Sequence, residues 1–113
     1  MRVMTVNDLS KIQEFEPVVM AEPDREIEGV YIGDLLSWVM GRAKSGDAWI
    51  TIMSNINTIA VATLADTACI ILAEGVTLDE GVKETAEKKG INVLSTYLSS
   101  YSAALKLYSV LKI

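Results

Sequence analysis

At 113 residues the chain has room for one domain, and its 10 basic against 15 acidic residues give a formal net charge of −5. No basic cluster stands out, Lys88-Lys89 being the nearest, so the footprint of a nucleic-acid binder is not expected. The absence of histidine removes the commonest general base and metal ligand, and a lone cysteine, Cys69, builds neither an internal disulfide nor a thiolate metal site.

Half the residues are hydrophobic and the mean hydropathy is +0.31, a heavy apolar load for so small a domain. Two readings follow: apolar surface set into a subunit interface, or a very apolar parallel-sheet core. The opening residues Met1-Arg2-Val3-Met4-Thr5-Val6-Asn7 lack the apolar core of a secretion signal. The most apolar span, residues 59–73, is broken by Thr63, Asp66 and Thr67 and is too polar for a membrane helix. A cytoplasmic protein with no membrane contact is the resulting expectation, and Cys69 is expected as a small core residue.

In chain order, Thr5-Val6-Asn7-Asp8 reads as a capped helix start, with a helix running to about Glu14. Pro17-Val18-Val19-Met20 follows as a short strand and Glu22-Pro23-Asp24 as a turn. Residues 25–32 alternate imperfectly around Gly29, which predicts a strand with a bulge or a close backbone approach. Asp34 is expected to cap a second helix with Leu35, Leu36, Val39, Met40 and Ala43 on its apolar stripe, and Gly46 to stop it.

Ala48-Trp49-Ile50-Thr51-Ile52 then predicts a buried central strand ending in the polar turn Met53-Ser54-Asn55. The next segment, residues 57–65, mixes β-branched residues with alanines; the crossover that parallel strands require decides for a helix. Ala68-Cys69-Ile70-Ile71-Leu72-Ala73 is a second buried strand, ending at Glu74-Gly75. Thr77-Leu78-Asp79-Glu80 predicts a capping box for a helix that Gly90 ends. Ile91-Asn92-Val93-Leu94 is the last strand, ending at Ser95-Thr96. A final helix carries Tyr101, Ala104, Leu105, Tyr108 and Leu111 on its apolar stripe, with Ser102, Lys106, Ser109 and Lys112 outside it. From residue 48 onward strand and helix alternate, so the expected fold is α/β: one three-layer-like domain over residues 1–113 with a mainly parallel sheet.

In such a sheet, ligands bind outside the carboxyl ends of the strands. Those ends carry Ser54, Asn55, Asn57, Glu74, Gly75, Ser95 and Thr96, small polar groups suited to a phosphate or sugar, or simply to capping helices. Neither a P-loop nor a G-x-G-x-x-G run is present. The paired carboxylates Glu14 with Glu16, Glu26 with Glu28 and Asp79 with Glu80 fall at surface-type positions, so no catalytic residue, metal or cofactor is assigned. Asp24 and Arg25 either brace a turn through charge-assisted hydrogen bonds or meet a ligand phosphate or a second subunit's carboxylate.

At Asp24-Arg25-Glu26-Ile27-Glu28-Gly29-Val30-Tyr31 and Asp34-Leu35-Leu36-Ser37 the sequence resembles the DRTGG domain family. The likeness continues through Gly46-Asp47-Ala48-Trp49-Ile50-Thr51-Ile52, Asn57-Thr58-Ile59-Ala60-Val61-Ala62 and Gly90-Ile91-Asn92-Val93-Leu94-Ser95-Thr96, nearly the whole chain. Asp24, Arg25 and Gly29 match residues that name the family, while Glu28 stands for its threonine, Val30 for its second glycine, and Asn55 where related single-domain proteins often carry a histidine. The resemblance implies a fold like the N-terminal domain of HPr kinase and a regulatory role beside CBS domains in nucleotide-regulated pyrophosphatases, where the domain sits at the dimer interface.

The leading expectation is therefore a non-enzymatic regulatory or interaction module, homodimeric, that senses an adenine nucleotide or similar anion at the strand ends. The alternative is a ligand-free structural partner of a metabolic enzyme or sensor kinase. A phosphoryl-group enzyme is the third reading.

Overall fold

The computed structural model describes residues 3–111. Met1, Arg2 and Lys112, which entered the readings of the two ends of the chain, lie outside the described residues.

Four apolar runs form the parallel part of one five-stranded sheet. Its strands are β1 (Glu16–Val19), β2 (Gly29–Ile32), β3 (Asp47–Thr51), β4 (Cys69–Leu72) and β5 (Val93–Ser95), in the spatial order β1-β5-β4-β3-β2. β2 to β5 run parallel, and β1 joins antiparallel at the edge beside β5. Trp49 pairs with Tyr31 on one side and Ile70 on the other, and Ile70 in turn with Val93. Every residue of β3 and β4 is buried, as expected of continuous apolar strands covered on both faces.

Helices α2 (Leu36–Arg42), α3 (Ile56–Ala65) and α4 (Glu80–Lys89) connect successive parallel strands. Val39, Ile59, Ala62 and Ala86 on these helices pack with Trp49, Ile70, Leu72 and Val93. The opposite face carries α1 (Val6–Ser10) and α5 (Ser100–Leu111), whose Val6, Leu9, Ala103 and Leu107 pack with Ala48, Ile50, Ile71 and Leu94. The result is the expected three-layer α/β domain. Among the described residues, no helix is long and apolar enough to cross a membrane.

Local signals held where no tertiary partner competed. Thr5 and Asp8 form the expected reciprocal capping box, although α1 ends at Ser10 rather than near Glu14. Asn55 caps α3, its side chain accepting the Asn57 N–H, and Gly90 (φ 73°) closes α4. Three other expectations are corrected. Asp34 does not cap α2: its Oδ1 accepts Thr51 Oγ1–H at 2.8 Å and the Ile52 N–H at 3.0 Å, and the cap position falls to Leu35, which has no side-chain bond to give. Gly46 does not stop that helix, which has already ended at Arg42 with Ala43 as its extended cap. The Thr77–Glu80 capping box does not form, because α4 starts with Asp79 at its cap and no side-chain hydrogen bond there.

The strand expected over residues 25–32 begins only at Gly29. Upstream, the chain is held by residues 4–6 instead: the Val6 N–H donates to Arg25 O and the Ile27 N–H to Met4 O, both at 2.9 Å. At Gly29 the structure has a close approach: an added Cβ would sit 2.6 Å from Asp47 Oδ1. The stripe read on α5 is also corrected. Ala103, Leu107 and Leu111 face the core, while Tyr101, Leu105 and Tyr108 are exposed. Similarly on α2 only Val39 is buried, with Leu35 and Met40 in solvent.

Candidate functional site

The exits of β3, β4 and β5 gather Ser54, Asn55, Asn57, Glu74, Gly75, Ser95 and Thr96 on one rim. The loop after β4 leads to α4 on one face of the sheet, whereas the loop after β5 leads to α5 on the other. Such a divergence is where an open α/β sheet has its ligand crevice. Here two backbone hydrogen bonds close it: the Glu74 N–H donates to Leu98 O and the Gly75 N–H to Thr96 O, both at 2.9 Å. Glu74 (φ 61°) and Gly75 (φ 73°) both take the left-handed conformation that aims these N–H groups across the gap. At Gly75 the Tyr97 ring would lie 3.1 Å from an added Cβ. Thr96 is buried and its Oγ1 accepts the Leu98 N–H at 3.1 Å.

The β3 exit is similarly knit. Thr51 Oγ1 donates to Asp34 and accepts the Met53 N–H at 3.1 Å; Asn55 Oδ1 accepts the Asn57 N–H at 2.9 Å. Ile52 and Ile56 stand exposed beside the exposed Asn55 and Asn57, so this part of the rim is more apolar than its sequence suggested. Its fixed charges are the carboxylates of Asp34 and Glu74.

A cation stands in a cleft that borders the rim at Ser95. Lys83, Thr77 and Ser95 line a cleft of about 280 Å³ with Glu16, and Lys83 Nζ is 3.3 Å from Glu80. Ser95 and Thr96 also border a second cleft of about 240 Å³ beside Glu14, Glu16 and Tyr97. The paired carboxylates Glu14 with Glu16, Glu26 with Glu28 and Asp79 with Glu80 are all exposed.

Asp24 and Arg25 are not part of this rim. They precede β2 and lie at the opposite, amino-terminal end of the parallel strands. There Arg25 Nη1 donates to Asp66 Oδ1 at 3.0 Å and Nη2 to Asp66 O at 2.8 Å, joining the approach to β2 to the approach to β4. Ser45 Oγ donates to Asp66 Oδ2, and Arg25 Nη2 reaches Ser45 Oγ at 3.4 Å. The Ser45 hydroxyl first, and the Arg25 guanidinium second, hold the Asp66 carboxyl below its ordinary pKa. Arg25 thus takes the bracing role. Asp24 is exposed beside it.

Cys69 is fully buried in β4, and desolvation raises its thiol pKa to about 12. No group of three or more His, Cys, Asp or Glu able to hold a metal occurs among the described residues.

Sequence reasoning missed Ser45, Asp66, Asp34 and Lys83. Asp66 enters the sequence reading only as a polar break in an apolar span, and nothing local marks it, 41 positions from Arg25, or Ser45, 20 positions away, as that arginine's partner. It also missed an apolar groove of about 580 Å³ between β2 and α5, lined by Val30, Ile32, Leu105, Tyr108 and Leu111 among others.

No curated protein sequence matches the chain. Among solved structures, it is similar to the CBS and DRTGG domains of the regulatory region of Clostridium perfringens pyrophosphatase, in complex with the activator diadenosine tetraphosphate. The TM-score is 0.74 at 18% identity, over 89% of this chain and 44% of that one, so the chain spans less than half of its neighbour's length. The DRTGG domain family matches residues 17–110, from the second residue of β1 almost to the end of α5. With the same arrangement of strands and helices behind that match, the chain belongs to the DRTGG domain family.

Proposed function

We propose that this domain is a non-enzymatic regulatory or interaction module that works as a homodimer. The observation that carries the reading is its uncovered apolar surface: Ile32, Leu35, Trp38, Tyr101, Leu105 and Tyr108 are all exposed on the lone chain. Large exposed apolar side chains gathered on an edge strand and on two helices are the mark of a surface that meets protein. Sedimentation velocity across the micromolar range tests it. A dimer is expected, and a monomer at every concentration overturns the reading.

A second reading, an adenine nucleotide or similar anion held at the strand ends, is supported by the activator in the pyrophosphatase structure. On this chain the Lys83, Thr77 and Ser95 cleft offers a cation beside the rim. The test is thermal shift against AMP, ATP, diadenosine tetraphosphate and inorganic phosphate. Stabilisation that Ser95→Ala and Lys83→Ala diminish supports it; no shift at millimolar concentration leaves the rim as a purely structural device. Arg25, on the opposite rim, serves as the control position. A partner enzyme or kinase of the same pathway fits the interaction reading equally, and sedimentation with that protein would register it.

A further inference from the structure

We propose that the open edge of β2 is a docking strand for an extended segment of a partner protein, apolar at alternate positions and basic at its ends. This draws on the interaction-module part of the reading above and does not need the homodimer.

The two edges of the sheet are built differently. β1 is guarded: Glu16 puts a charge on it, Pro17 has no N–H to offer, and its register against β5 slips between Pro17 and Val19. Charge, proline and irregular pairing are the devices that keep an edge strand from adding a neighbour. β2 carries none of them. Gly29, Val30, Tyr31 and Ile32 are uncharged and pair with β3 in unbroken register. No strand lies on the outer side of β2 among the described residues, so the main-chain groups that point outward there have no strand partner. The same side already accepts pairing one step upstream. There residues 4–6 run antiparallel to residues 25–27, with the Val6 N–H on Arg25 O and the Ile27 N–H on Met4 O. That cover ends before Gly29.

A strand added along β2 would lie in a prepared trough. The groove of about 580 Å³ is floored by Val30 and Ile32 and walled by Tyr101, Leu105 and Tyr108 of α5. These walls are 72%, 51% and 75% exposed, because the apolar arc of α5 is wider than the sheet covers. From Tyr101 to Tyr108 the helix rises about 10 Å, and four residues of strand extend about 13 Å. An extended guest therefore runs the length of the trough in roughly four residues, with every second side chain entering it. Main-chain pairing, with pockets for alternate side chains, is how an edge strand recognises a peptide.

The guest's ends follow from charge. No charged residue lines the groove. Glu26 and Glu28 stand exposed before β2 and Asp34 exposed after it, and none of the three has a lysine or arginine partner among the described residues. An apolar stretch between basic residues complements this pattern, whereas an acidic segment is repelled at both ends. A contact this small suits a reversible partner.

The test is an NMR titration of the isotope-labelled full chain with a capped probe peptide, Lys-Val-Thr-Val-Thr-Val-Lys. Amide shifts are expected at Gly29–Ile32 and residues 101–108 and not at Glu16–Val19, with a Kd below about 1 mM. The same peptide N-methylated along its length keeps its side chains but loses its main-chain donors, and should bind at least ~10-fold more weakly. Leu105→Lys should weaken the probe at least ~10-fold, and Glu26→Lys should weaken it ~3-fold while tightening a glutamate-ended counterpart. Both positions are exposed, and circular dichroism reports folding. If Leu105→Lys fails to fold, Tyr108→Ser replaces it. No shift at about 2 mM probe, shifts that map elsewhere, or equal binding of the N-methylated peptide overturns the docking edge. So does a wild-type dimer that the probe dissociates, which would give the edge to a second copy. Sedimentation without probe decides the homodimer separately: a dimer blind to the probe keeps that reading and loses this one, and a monomer that binds the probe does the reverse.

Discussion

Arg25 and Asp66 are joined by two hydrogen bonds, one to the carboxylate at 3.0 Å and one to the main-chain carbonyl at 2.8 Å. Asp66 is the left-handed residue that ends α3, at φ 59°. The guanidinium thus grips the corner where the chain leaves a helix and enters β4, and binds it to the turn that leads into β2. An arginine that matches the family at this position makes its bonds within the sheet's amino-terminal rim.

Removing that grip should cost stability without touching the opposite rim. Arg25→Ala is expected to lose ~0.5–1.5 kcal/mol in urea denaturation, because the bonds are charge-assisted but partly solvent-exposed. A loss within error would mean that the contact does not hold the corner.

The Ser45 hydroxyl, and after it the Arg25 guanidinium, give Asp66 an acid dependence. Asp66 has a folded-state pKa below its ordinary value of 3.8. A depressed carboxylate contributes stability that is present above the unfolded pKa and is lost as pH falls through the folded one. The wild type should therefore lose urea resistance as pH drops below about 3.8, and Asp66→Asn should lose less over that interval. Parallel curves for the two proteins would contradict the assignment.

Asn92 is buried with every strong bond made. Its Nδ2 donates to Glu22 O at 2.7 Å and to Ala68 O at 3.0 Å, and its Oδ1 accepts the Glu22 N–H at 2.8 Å. It pins the Glu22 turn to the start of β5. Asn92→Ala leaves three backbone groups without this partner and should cost ~2–3 kcal/mol. Asn92→Asp should be comparable, since a carboxylate cannot donate to the two carbonyls. Chemical denaturation with both variants checks this, and a mild effect of Asn92→Asp would show that the carbonyls find other donors.

Two glycine-to-alanine changes should act in opposite directions. At Gly29 the new methyl meets Asp47 Oδ1, and that carboxylate is held by the Lys44 N–H at 2.8 Å. A loss of ~1–3 kcal/mol is expected. At Gly41, inside α2, an added Cβ meets nothing within 4 Å, and helix propensity should stabilise the fold by ~0.5–1 kcal/mol. Thermal melts of the pair decide it; a melting temperature raised by Gly29→Ala would mean that Asp47 moves aside freely.

Cys69 should be silent toward thiol reagents in the native protein at neutral pH. Its thiol is fully buried with a pKa near 12. One equivalent should react once the chain is unfolded. Rapid native labelling would reveal an opening of the sheet at β4.

How far the chain announces itself differs by element. Trp49, Ile50, Ile70, Ile71 and Val93 lie in continuous apolar runs, and a run that is buried on both faces needs no partner to be recognised as a strand. The parallel order followed, since each pair of runs is separated by a stretch long enough for a crossover helix. Caps were legible at Thr5, Asn55 and Gly90, where the bonding groups are sequence neighbours. Asp34 misled because a carboxylate can cap its own helix or serve a residue 17 positions away, and it serves Thr51.

The seven strand-end residues lie at one rim of the sheet, and Arg25 at the other. Neither the parallel direction of β2 nor the corner that a long flexible side chain before it would reach is marked in the local sequence. Helix α5 makes the same point about surfaces. Its apolar residues span one wide arc of the helix, so periodicity established an amphipathic helix without saying which part of that arc faced inward. By itself the sequence determined the layers, the parallel strands and the family. Only tertiary structure decided which side of α5 the sheet would take, because packing selects Ala103 and Leu107, small or branched enough to sit against the sheet, and leaves the tyrosines outside.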